Sequence, residues 1–148
     1  MEHPLWPKVA AAIVASQSGG PTAGQHLADV WDQLGEDEHV MRCIVAHYYA
    51  DLQDDVLAEL EWDQRALAAH EHLRDEDLLP LGLSSAAAFL PSLHLNVGDA
   101  WLRAGDPDKA RQHLEHARAA EDQLGQDPYG DMVRRGLTGL AARIEGGT

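Results

Sequence analysis

A recurrent spacing of small residues constrains this chain more than any other feature. Gly98 is followed by Trp101, Ala110, Leu114 and Ala117 at offsets of 3, 12, 16 and 19. On two antiparallel helices joined by a short turn, small residues at such offsets let the backbones approach, and the larger side chains fill the space beside the contact. The offsets recur at Ala46, Tyr49, Ala58 and Trp62, and again at Ala11, Val14, Ala23, Leu27 and Val30. The second small residues, Ala23, Ala58 and Ala110, are separated by 35 and 52 positions. Two units therefore follow in register, and an extra segment precedes the third.

Punctuation between these positions predicts helices. Pro4 and Pro7 suit the first turn of a helix ending near Gln17, before Ser18-Gly19-Gly20-Pro21. Thr22 is placed to cap a second helix running to about Leu34, with Gly35 at its end. Glu36 or Asp37 opens a third, through Met41, Ile44 and Tyr48 to Leu52; Asp54 and Asp55 open a fourth, reaching about Leu73. Residues 74–89 contain Pro80 and Gly82 and read as an irregular connection that turns helical near Ala86, with Ser84-Ser85 as a cap. Pro91 either starts the following helix or kinks it. That helix ends at Ala104-Gly105. Asp106 and Pro107 begin the next, which runs to about Leu124, and a last helix occupies residues 127–145. No segment alternates polar and apolar residues over a strand's length, so the chain reads as all-α.

The unit built on Gly98, Trp101, Ala110, Leu114 and Ala117 resembles the tetratricopeptide repeat, a helical hairpin of about 34 residues. The resemblance implies a right-handed superhelix of about seven helices in one domain. Its repeats cover about residues 4–36, 38–73 and 90–124, and the last helix serves as a polar-faced cap. It also implies a concave groove lined by the first helix of each hairpin, which holds a peptide or protein segment. Carried across, the groove positions are Leu5, Lys8, Ala12, Ala15 and Ser16; then Val40, Cys43, His47, Ala50 and Asp51; then Ser92, Leu95, Asn96, Asp99, Leu102 and Arg103. Family members that capture a carboxylate terminus use a basic, asparagine-rich clamp. Lys8, Asn96 and Arg103 form part of one, but Ala12 stands where asparagine is expected, and Asp51 and Asp99 oppose an anion.

Charge narrows the partner. The net charge is −14, and residues 29–77 carry 15 acids against 3 bases. Such a field repels a phosphate backbone and disfavours nucleic acid. A basic or amphipathic segment is the matching ligand, unless the acids only solvate helix faces. An exposed apolar face would also support a homodimer. The helical segments carry charges throughout and none reads as membrane-spanning. With no visible signal peptide and Cys43 as the lone cysteine, the expected setting is a reducing cytoplasm. Usage rich in Ala, Arg, Asp and Gly fits a GC-rich bacterial source.

Catalytic chemistry finds little purchase, and the chain reads as an adaptor rather than an enzyme, without a cofactor. Ser18-Gly19-Gly20-Pro21 lacks the lysine and hydroxyl of a phosphate loop. Cys43 and His47 lie one helical turn apart, as a nucleophile and base would, but their mid-helix position favours packing. Nine histidines include His113 and His116, three apart on one helix, and His70 and His72, which diverge. The metal motif His-Glu-x-x-His is absent. The alternative function is therefore a small-ligand or metal-binding helical protein, or an accessory to an enzyme, using the histidine faces. The four tryptophans read as core filling, with Trp6 nearest a surface.

Overall fold

Asp55, Asp106 and Asp127 fix three helix starts in the same way. Each carboxylate accepts a backbone N–H three residues on, from Ala58 at 3.2 Å, Lys109 at 3.1 Å and Gly130 at 2.7 Å. A capping bond of this kind satisfies one of the N–H groups left without an intrahelical partner. Pro107 and Pro128 occupy the first helical position after the last two caps. The computed structural model describes residues 3–17, 22–81 and 85–146. Within them the chain is all-α: α1 (Trp6–Gln17), α2 (Ala23–Gln33), α3 (His39–Ala50), α4 (Val56–His70), α5 (Leu90–Arg103), α6 (Pro107–Ala119) and α7 (Pro128–Glu145). Two 3-10 segments, Asp75–Leu81 and Glu121–Gln123, complete the described elements. Among the described residues, no helix is long and apolar enough to cross a membrane.

The chain divides into two compact units, Met1–His72 and Leu73–Thr148. In the first, α1 packs on α2 and α3 on α4. Val9, Ala12, Ala23, Leu27 and Val30 have no exposed surface, nor do Cys43, Val45, Ala46 and Ala50. Burying a Leu or Val side chain is worth about 1.5–3 kcal/mol, so this apolar stripe, rather than helix propensity, holds α1 to α4 together. Details differ from the sequence reading. Ala11 is exposed and Val14 is 63% exposed, whereas Ala12 is fully buried. The inner face of α1 is thus set by Val9 and Ala12, one position off the expected register. Thr22 sits at the cap position of α2 but its side chain makes no capping bond. Glu38, not Asp37 or Glu36, precedes α3, and its carboxylate accepts the Gly35 N–H at 2.7 Å. The break expected at Ser18–Pro21 lies outside the described residues.

In the second unit, residues 75–81 and 85–89 are more ordered than an irregular connection, while Gly82 and Ser84 of the expected break and cap lie outside the described residues. After the 3-10 segment, Asp75 accepts the Ala86 N–H at 2.9 Å and Ser85 Oγ accepts that of Ala88 at 3.1 Å. Leu78, Ala88 and Phe89 are buried. Pro91 lies in the first turn of α5 and starts it rather than kinking it. At the other end of α5, the Gly105 N–H donates to Leu102 O and that of Asp106 to Trp101 O, with Gly105 at φ +94°. This paired closure needs a left-handed residue, which glycine adopts without strain. It turns the chain back so that α6 runs antiparallel against α5.

The contact between α5 and α6 is tight at the expected place. A Cβ on Gly98 would lie 3.3 Å from Ala110 O, 3.4 Å from His113 Cβ and 3.1 Å from Leu140 Cδ2. Ala110, Leu114 and Ala117 of α6 share one core with Val133, Leu137, Leu140 and Ile144 of α7 and with Leu124; Leu95, Trp101 and Leu102 pack against it. The four α7 residues recur at helical spacing and form one apolar face. α6 ends at Ala119, five residues before the expected Leu124.

Candidate functional site

The predicted groove positions meet three different fates. Some are sealed in the core: Ala12, Cys43 and Ala50 have no exposed surface, and His47 and Ser92 are 8% exposed. Cys43 and His47 are therefore corrected from groove to core residues. Burial pushes the Cys43 thiol up to about 12 and the His47 imidazole down to about 4, so both are neutral near pH 7. A neutral thiol deep in a core is no nucleophile.

A second group is engaged within its own unit. Lys8 Nζ lies 3.9 Å from Asp29 of α2. Asp99 is held from two helices, by Arg103 of α5 at 2.9 Å and Arg143 of α7 at 2.7 Å. Leu95 presses against α7 where Gly136 leaves room: a Cβ there would come within 2.5 Å of Leu95 Cδ2. Leu102 joins the same core. Helix α7 thus packs on Leu95 and pairs with Asp99, two of the α5 positions that the resemblance assigned to a ligand, while these two and Leu102 stay half-buried.

The third group keeps solvent access. Val40 and Asn96 are half-buried, while Asp51 and Arg103 are exposed. Asp51 closes α3 and is followed by Asp54 and Asp55, also exposed, at the turn into α4. Residues 1–72 hold thirteen acids against three bases.

Those few bases reveal a feature the sequence did not suggest. Trp31 of α2, Tyr49 of α3 and Trp62 of α4 meet edge to face, with centroids 4.8 Å apart for Trp31–Trp62 and for Tyr49–Trp62. Arg42 lies over Trp31 at 4.1 Å and Arg65 over Trp62 at 4.3 Å. All three rings remain half-buried. In the second unit Lys109 covers Trp101 at 4.1 Å. Trp31, Trp62 and Trp101 are thus not simple core filling: each is half-buried and receives a cation over its ring. Arg65 standing three residues after Trp62 was the available clue.

Histidines cluster at two places. His39 and His72 stack at 3.9 Å in the first unit. In the second, His94 of α5 meets His113 and His116 of α6. The His94 and His113 Nδ1 atoms are 3.0 Å apart, and the ring centroids of His94 and His116 are 5.1 Å apart. Desolvation, with the neighbouring His116, lowers the pKa of His113. Among the described residues, no group of three or more His, Cys, Asp or Glu side chains is placed to hold a metal ion. A shallow cleft of about 530 Å³ is lined by Arg118, Glu121, Asp122, Leu124, Gln126 and Arg134. Arg134 spans it, donating to Leu124 O at 3.0 Å.

Searches with this sequence and structure matched no family model, no curated protein and no solved structure.

Proposed function

We propose that the chain is a helical-hairpin interaction module, of tetratricopeptide-like design, that binds a basic or amphipathic segment of another protein. The observation that carries this reading is the half-buried cluster of Trp31, Tyr49 and Trp62 capped by Arg42 and Arg65. Trp, Tyr and Arg are the residue types that anchor protein interfaces, because they offer large rigid surfaces with a polar handle. Around them the first unit is strongly acidic, which steers a cationic segment toward it and rejects an anionic one. The exposed carboxylates of Asp51 and Asp54 are the natural electrostatic contacts.

Affinity capture from the native host would identify the bound segment, and titration would then define its chemistry. Binding is expected to weaken several-fold as salt rises from low to moderate ionic strength, because solvent-exposed charge pairs are screened. The double variant Asp51→Lys with Asp54→Lys should weaken it further without unfolding the protein. Asp55 is left intact because it caps α4, and Asp99 because it ties α5 to α7. Partners that are uniformly acidic, or binding indifferent to the double reversal, would refute the proposal.

A further inference from the structure

We infer that the face of the Trp31 ring is the seat for an arginine side chain of the partner segment, and that Arg42 occupies this seat as an internal stand-in until the segment displaces it. Resting on the reading that the first unit binds a basic segment, this names the residue type that is read and the place where it docks. The Arg42 guanidinium of α3 lies 4.1 Å from the centroid of the Trp31 ring, in the last turn of α2. Arginine suits such a face better than lysine, because its head is flat and weakly hydrated.

The two arginines of the cluster are held differently. Arg65 stands 4.3 Å from the Trp62 centroid and 5.9 Å from that of Trp31, and an ion pair to Glu61 anchors it. Among the described residues no carboxylate pairs with the Arg42 guanidinium, so the ring is what holds it. A cation over a partly exposed ring is worth a factor of about two to five in an equilibrium. A second arginine therefore replaces Arg42 at little cost. Once displaced, Arg42 has Glu38 one turn back at the start of α3, at a spacing and in an order that suit an acid–base pair. The surrounding field selects the incoming charge: residues 1–72 hold thirteen acids against three bases, which draw a cation to the ring and repel an anion. The edge-to-face contact with Trp62, at 4.8 Å and 83°, fixes the tilt of the Trp31 ring, so the seat is formed before anything binds.

The test uses the full-length chain and two short peptides with blocked termini, oligo-arginine and oligo-lysine, titrated calorimetrically at low salt. The arginine peptide is expected to bind several-fold more tightly than the lysine peptide. Arg42→Gln vacates the seat and should tighten the arginine peptide by about two- to fivefold beyond Lys8→Gln, which removes an equal charge from the same unit without touching a ring. An arginine sits on the ring before and after binding, so Trp31→Phe alone should change affinity by less than about twofold. In the Arg42→Gln protein the same change should erase the gain. In nuclear magnetic resonance spectra of the free chain, the Arg42 side-chain protons should be shifted upfield by the indole and return toward ordinary positions at saturation. Equal affinity for the two peptides overturns the inference, as does an Arg42→Gln gain that matches Lys8→Gln or survives Trp31→Phe, or an Arg42 still shielded at saturation. Each of these leaves salt-dependent binding through Asp51 and Asp54 standing. Failure of both peptides to bind overturns the inference and the reading beneath it together.

Discussion

The same substitution at two helical glycines should move stability in opposite directions. Replacing an interior helical glycine by alanine gains about 0.5–1 kcal/mol from reduced chain entropy and better helix propensity. At Gly139 of α7 a new Cβ meets nothing within 4 Å, so Gly139→Ala should stabilise by that amount. At Gly98 the new methyl would sit 3.1 Å from Leu140 Cδ2, 3.3 Å from Ala110 O and 3.4 Å from His113 Cβ. Leu140 Cδ2 ends a flexible side chain and can give way, but Ala110 O is backbone, and moving it means separating α5 from α6. Overpacking of this kind costs about 1–3 kcal/mol, leaving Gly98→Ala destabilised by about 1 kcal/mol net. The gap between the two variants is then about 2 kcal/mol, and it isolates the close approach from the propensity that both share. Urea denaturation followed by circular dichroism at constant pH measures it. For a chain of this size the corresponding spread in melting temperature is roughly 4–8 °C. If Gly98→Ala proves as stabilising as Gly139→Ala, the helices do not touch at Gly98 and the hairpin argument fails.

Three further outcomes are expected. Because burial pushes Cys43 up to about 12, a disulfide-exchange reagent at pH 8 should leave the native thiol unlabelled and react fully in denaturant; rapid native labelling would contradict its place in the core. Burial holds His47 near 4 while an unfolded histidine titrates near 6.5, so between these values the unfolded state binds more protons and stability falls as pH drops. The loss approaches roughly 3 kcal/mol at the acid end, His113 adds to it in the same direction, and His47→Leu should flatten the decline in urea midpoint between pH 6.5 and 4. Equal pH slopes in variant and parent would show that His47 protonates without cost. Removing the α7 cap by Asp127→Ala should cost about 1 kcal/mol in urea denaturation, and no measurable change would mean that the Gly130 N–H finds water equally well.

What the sequence made legible was whatever rests on local chemistry. Asp55 and Asp106 announced their helix starts because a carboxylate before a helical run has a defined N–H to accept. Gly105 marked a helix end because few other residues take its conformation freely. Gly98 and Ala110 marked a contact because only small side chains permit one. The register of α1 was not legible: Ala10, Ala11 and Ala12 present the same methyl, and packing alone selects Ala12 for the interior. Nor did the spacing reveal that α7 would lie over Leu95 and Asp99, since the enabling residue, Gly136, is distant in sequence and looks like any glycine in a polar helix. The histidine triad was half visible. His113 and His116 share a helix face, but His94 reaches them only after the hairpin closes, and no local pattern encodes that.

The double grip on Asp99 has a kinetic side. With Arg143 drawn to Asp99, and Leu95 seated where Gly136 gives way, the part of α5 around Leu95 and Asp99 is fully open to solvent only in molecules whose last helix has lifted. Amide exchange along residues 128–145 would therefore report how often that surface is presented. Any molecule that binds there must wait for, and then hold, the undocked state.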